Sequence, residues 1–235
     1  MKKYDYDEFI KKIEIESKYK KYVSKDIIDL IIDNFTSKYK KINYPKTISN
    51  PLEIVLQFYQ NYNEEFYNLI LNGINNNKII INDSESKSFI NIKDNITHIN
   101  LFGNDSDLFI LVHELAHYID RNYKNYIIPD KYWFLSETFA FYMEKTFEKS
   151  LNKEKYKKLI NARKNNRLYH ETNMVKAIKY EYYYEQLFIN NNFINTEDID
   201  IYKIKYISQY KESNYINYLL QYPLANIISD EFINK

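Results

Sequence analysis

The stretch Leu108–Asp120, LFILVHELAHYID, constrains this chain more than any other. It sets His113 and His117 four residues apart, with Glu114 beside the first. On a helix, residues four apart stand one above the other, so both imidazoles reach a single metal ion. Glu114 then points toward water held at that metal and can take its proton. The alternative for the same residues is a buried helix with two merely hydrogen-bonded histidines. A metal site needs a third protein ligand from elsewhere in the chain, so a second element must pack against this helix.

The rest of the sequence favours helices to build that second element. Only 2 glycines and 4 prolines occur in 235 residues, which leaves few tight turns and argues for a helix-dominated fold. The 26 tyrosines accompany an abundance of Lys, Asn and Ile, so they need not each have a role. A formal net charge of +1 gives no bulk electrostatic case for nucleic acid or an anionic membrane as partner. The absence of cysteine removes disulfides and thiolate metal sites, and fits a reducing compartment. The start, MKKYDYDEFIKKIEIE, has no apolar core of signal-peptide length, and runs such as Phe109–Val112 are too short to span a bilayer. A soluble cytoplasmic protein is the expectation.

Taken in order, helical spacing covers 4–22, and a second helix starts at Ser24 and runs through Phe35. A loop, Tyr44–Asn50, follows. Asn50-Pro51-Leu52-Glu53 reads as N-cap, first-turn proline and acid, opening a helix that carries Ile54, Val55, Phe58, Tyr62 and Phe66 inward and stops at Gly73. Residues 1–75 thus form a helical region packing on a second part, 76–235. Lys78–Asn82, Ser88–Ile92 and Thr97–Phe102 read as short strands of a small sheet. The last enters the histidine helix through Gly103, with Asn104 or Asp105 as cap, and its edge can pair with an extended peptide. A further helix starts near Asp130. There Glu137 and Glu144 lie two turns apart on one face of an otherwise apolar segment, where a buried carboxylate needs a partner. The basic stretch 152–165 reads as a solvated face. Helices are expected over 171–191, over 197–208 capped by Thr196, and over 212–233 with a bend at Pro223. The fold class is mainly α with a small β-sheet.

Candidates for the third ligand are Glu137, Glu144, Asp120, Asp130 and His170. The metzincin extension of the motif requires Gly at position 120 and His at position 123, and this chain has Asp120 and Tyr123. Glu137, twenty residues beyond His117 on a following helix, matches zinc peptidases with a glutamate third ligand. Glu144 is left to orient an imidazole.

Three segments together resemble the catalytic portion of the oligoendopeptidase F and thimet oligopeptidase family. They are Ile99–His117 (strand, turn and histidine helix), Glu137–Glu144 (ligand helix), and the segment from Asn214 to Phe232, NYINYLLQYPLANIISDEF. The resemblance implies a zincin-like catalytic domain that binds one Zn²⁺ per chain through His113, His117 and Glu137, with Glu114 as general base. In that family, phenols of the last segment stabilise the oxyanion, a role that falls here on Tyr215, Tyr218 or Tyr222. The implied substrate is a peptide or an unstructured protein segment. A histidine that often precedes the tyrosine motif is missing, with Tyr210 near its place, and the chain is shorter than typical members, so a more open groove is expected. Two other readings are a non-catalytic metallopeptidase-like binding module, against which the intact Glu114 argues, and a protease or toxin-like factor dedicated to one protein.

Overall fold

The computed structural model of the chain describes residues 39–84, 86–91, 93–123, 133–190 and 215–233, those at 133–135, 176–190 and 215–221 as backbone only. The helices expected over 4–22, 24–35 and 197–208, and the start at Asp130, lie outside the described residues.

Asn50 opens the first described helix, α1 (Pro51–Tyr62), in the predicted way. Its side-chain oxygen accepts from the Glu53 N–H, and Pro51 occupies the first turn, where a missing donor costs nothing. The single helix expected as far as Gly73 is broken at Asn63. That residue is extended (φ −157°, ψ 115°), and its side chain accepts from the N–H groups of Glu65 and Phe66 to cap α2 (Glu64–Asn75).

Three strands follow: β1 (Ile79–Asp83), β2 (Phe89–Asn91) and β3 (Ile96–Leu101), in the order β1-β3-β2. β3 runs parallel to β1, with Ile81 opposite Ile99, and antiparallel to β2, with Phe89 opposite His98. In a chain so poor in glycine, Asn77 and Asn95 take left-handed positions at φ 55° and 51° before β1 and β3. The topology corrects the expectation of an open edge at Ile99–Phe102. β3 is the central strand. β1 pairs with it as far as Leu101, and on its other side the Asn100 N–H donates to Ser88 Oγ. The edges belong to β1 and β2.

Gly103, at φ 68°, turns the chain into α3 (Asp107–Asn122), the histidine helix. Of the two predicted caps, Asn104 bonds at the entry to the helix, its side chain accepting from the Ser106 N–H at 2.9 Å and its carbonyl from the Asp107 N–H, and Asp105 does not cap it. Ser106 is the N-cap residue without a side-chain bond, and the Asp107 carboxylate reaches back to accept from the N–H groups of Phe102 (2.8 Å) and Asn104 (3.1 Å). Asp105, buried, accepts instead from Thr47 N and Oγ1 and from Ile48 N, which ties the extended segment 39–50 to this corner.

The remaining helices are α4 (Trp133–Ser150), α5 (Lys157–Asn190) and α6 (Tyr215–Ile233), the last continuing through Pro223. α3 sits in the middle of one hydrophobic core, with α1 and α2 against it on the N-terminal part of the chain and α4 packed along it. Gly73 is a packing residue rather than a stop. A Cβ there would lie 2.6 Å from the Tyr118 hydroxyl oxygen and 2.8 Å from Ile79 Cδ1, so α2 comes this close to α3 and β1 because the side chain is absent. α4 is locked to α6 by buried Lys145, which donates to Asn226 O, Ser229 Oγ and Asp230 Oδ1. Among the described residues no helix is long and apolar enough to cross a membrane.

Candidate metal centre

α3 presents His113 and His117 on one face, and α4 crosses that face with Glu137 in its first turns. The two Nε2 atoms are 3.1 Å apart. Glu137 Oε2 lies 3.3 Å from His113 Nε2, and Oε1 lies 3.6 Å from His117 Nε2. One nitrogen from each imidazole and one carboxylate oxygen thus fall within 4.8 Å of one another, and the cluster could hold a metal ion. His117 and Glu137 are buried and His113 nearly so.

The other face of each imidazole is engaged. His113 Nδ1 is 2.6 Å from Glu144 Oε1, two helical turns along α4 from Glu137. His117 Nδ1 is 2.8 Å from Ser136 Oγ. With Nδ1 hydrogens donated to these oxygens, both Nε2 lone pairs point at each other and at a carboxylate, an arrangement that repels itself unless positive charge lies between. Glu137 Oε2 fits the same picture, being buried without a hydrogen bond of normal geometry. The second oxygen of Glu144 contacts the Arg163 guanidinium, which reaches in from α5. Arg163 also packs over the Phe109 ring at 5.2 Å.

The charge states follow from burial and these neighbours. Burial pushes His117 down to about 4, against the pull of Glu137. Burial also opposes a charged His113, but the adjacent Glu137 and Glu114 outweigh it and raise that histidine above its ordinary value. Burial opposes ionisation of Glu137, yet His117 and His113 together hold it below the usual carboxylate range. Glu114 is raised by its own burial, with His113 opposing and Glu137 adding.

No family model, curated protein or solved structure matches this chain.

Glu114 lines a cleft of about 860 Å³ that opens from His113 and is walled by segment 39–50, the β3–α3 corner and α5. Of the other ligand candidates, Asp120 is buried a turn beyond His117 and His170 stands on the α5 wall, both outside the cluster of His113, His117 and Glu137. Asp130 lies outside the described residues, as do the side chains of Tyr215 and Tyr218. Tyr222 is half-buried on α6 and is not among the residues that line the cleft.

Sequence reasoning missed Ser136 and Arg163. A serine preceding a ligand carries no distinctive signal. Arg163 sits in the stretch read as a solvated basic face, yet Leu159 and Ala162 of that stretch are buried, as is Asn166 just beyond it, and Arg163 borders this inward side.

Proposed function

We propose that this chain is a zinc-dependent peptidase in which His113, His117 and Glu137 hold one Zn²⁺. The observation that carries the reading is the convergence of three ligand atoms whose imidazoles are each oriented from behind, by Glu144 and Ser136. The separations of 3.1, 3.3 and 3.6 Å suit this metal. Two ligands each about 2.0–2.1 Å from a tetrahedral ion stand roughly 3.3 Å apart, and an N, N, O donor set that leaves one position open is that of hydrolytic zinc sites. The likeness to the oligoendopeptidase F and thimet oligopeptidase family supports the same assignment.

When bound, zinc supplies Lewis acidity, polarising a carbonyl and acidifying water. The protein does the rest. Glu144 and Ser136 keep each imidazole in the tautomer that leaves Nε2 free. Glu114, on the cleft wall, takes a proton from water at its carboxylate and hands it to the leaving amine. Its raised pKa, set by burial with His113 opposing, brings donor and acceptor roles closer together. Donation to the oxyanion is assigned to α6, which runs along the ligand helix, and there to Tyr215 or Tyr218, since Tyr222 does not line the cleft.

Two measurements test the proposal. Protein purified without chelator should carry about one zinc per chain by elemental analysis, as three ligands at one site require. Glu114→Gln should keep that zinc and the melting temperature while abolishing hydrolysis of a peptide library. A protein that neither contains nor takes up zinc, or a Glu114→Gln protein as active as the native one, overturns the reading.

A further inference from the structure

One wall of the cleft, segment 39–50, carries positive charge on Lys41 and Lys46 that no carboxylate among the described residues balances. The α5 wall adds Arg163, which Glu144 offsets, and His170, whose lowered pKa leaves it uncharged near neutrality. The acids lining the cleft are Glu114 and Glu144, and Glu144 is already held by His113 and Arg163. Among the described residues, neither Lys41 nor Lys46 lies within ion-pair distance of a carboxylate. His170 shows the resulting field: burial lowers its pKa first, and Lys41 and Arg163 lower it further. The whole chain is close to neutral, so this concentration is local.

The lysines do not project from a loose loop. Asn166 of α5 grips the backbone of Ile42 at both ends, accepting from its N–H at 2.7 Å and donating to its carbonyl at 2.7 Å. Asn165 donates to Lys40 O at 2.5 Å, and Asp105 fixes Thr47 and Ile48 at the other end. Both lysines therefore start from a tethered backbone, which reduces the entropy lost in forming a contact. Apolar surface lies beside them. Of the three large hydrophobic side chains left exposed among the described residues, Ile42 and Phe102 line this cleft.

We propose that the cleft selects an extended peptide bearing a carboxylate next to an apolar side chain, with Lys41 and Lys46 receiving the carboxylate and Ile42 and Phe102 the apolar group. The proposal rests on the peptidase reading for its substrate class, but not on turnover. The carboxylate is either an acidic side chain or the peptide's own C-terminus.

Binding of fluorescent peptides to zinc-loaded Glu114→Gln protein, followed by anisotropy, separates these sources without hydrolysis. One peptide carries an internal Glu and an amidated end, one is neutral with a free C-terminus, and one carries Lys with an amidated end. The Glu peptide or the free-acid peptide should bind about five- to tenfold tighter than the Lys peptide, the scale of one or two partly exposed ion pairs. The preference should shrink in about 0.5 M salt, where the Debye length is only a few ångströms. Lys41→Gln/Lys46→Gln should abolish the preference and Lys41→Glu/Lys46→Glu should reverse it. Both pairs lie outside the metal centre, so zinc content should stay at the native level and confirms the fold. Equal affinity for all three peptides, or a preference unchanged by charge reversal, overturns the proposal. Acid-selective binding with no hydrolysis by the native protein sinks the peptidase reading alone. Hydrolysis without acid selectivity sinks this inference alone, and no binding of any peptide sinks it as well.

Discussion

Replacing Glu144 by Gln tests whether the metal centre is built from behind as the geometry implies. Glu144 is 3% exposed; one oxygen is 2.6 Å from His113 Nδ1 and the other meets Arg163. Glutamine keeps the volume, and its amide oxygen can still accept from the imidazole. Its NH₂ then faces the guanidinium, donor against donor, and the negative charge that makes His113 a better ligand is gone. Hydrogen bonds to charged groups contribute about 1.5–3 kcal/mol, and loss of an orienting partner typically costs about 10- to 100-fold in metal affinity, or roughly 1.4–2.7 kcal/mol. The two figures agree in scale. Ser136, 2.8 Å from His117 Nδ1, offers only a neutral oxygen worth about 0.5–1.5 kcal/mol, so Ser136→Ala should weaken zinc by roughly two- to tenfold. Glu137→Ala removes a ligand and should cost most.

Competition with a chromophoric zinc chelator at fixed pH gives the three affinities. Thermal unfolding of the metal-free proteins separates loss of a ligand-orienting group from loss of the fold. The expected order of damage is Glu137→Ala, then Glu144→Gln, then Ser136→Ala. Native-like affinity in Glu144→Gln, or a larger loss in Ser136→Ala, would refute the claim that charge behind His113 tunes the site.

Zinc uptake should also be linked to pH through one histidine. His117, held down to about 4 chiefly by burial, has no proton to lose near neutrality, and Glu137 is held ionised. His113 is raised despite its burial, because of Glu137 and Glu114, so it binds a proton that the metal must displace. Affinity should therefore rise with pH and fall by about tenfold per unit once pH is below the His113 value; a zinc affinity that stays flat as the solution is acidified through the histidine range, followed by chelator competition, would contradict this. Gly73→Ala sets helix propensity against packing. Alanine favours the helix by about 1 kcal/mol, but its Cβ would sit 2.6 Å from the Tyr118 oxygen, and overpacking costs about 1–3 kcal/mol. A net loss on the order of 1 kcal/mol in urea unfolding is expected, and a more stable variant would show that α2 can simply shift.

What the sequence made legible was local, and what it hid was contact between distant segments. His113 and His117 announce themselves through a four-residue spacing, and Glu137 and Glu144 through being charged in an apolar helix. Strand positions show in alternation, but which strand lies between the others depends on pairings across the chain, and β3 was read as an edge for that reason. Gly73 was read as a stop because glycine often ends helices; its reason lies in Tyr118, on another helix. Asp105 was read as a cap, whereas its partners Thr47 and Ile48 lie 58 and 57 residues away. The break at Asn63 did leave a local mark, since an Asn followed by Glu64 and Glu65 is itself a helix start, but the apolar period through Tyr62 and Phe66 masked it. The need for Arg163 is implied by Glu144 itself. A buried carboxylate has two oxygens, and assigning one of Glu144's to His113 leaves the other in need of a donor. A cation from a helix packed nearby is the residue that can supply it, and the basic stretch 152–165, where Leu159 and Ala162 turn inward beside position 163, holds one.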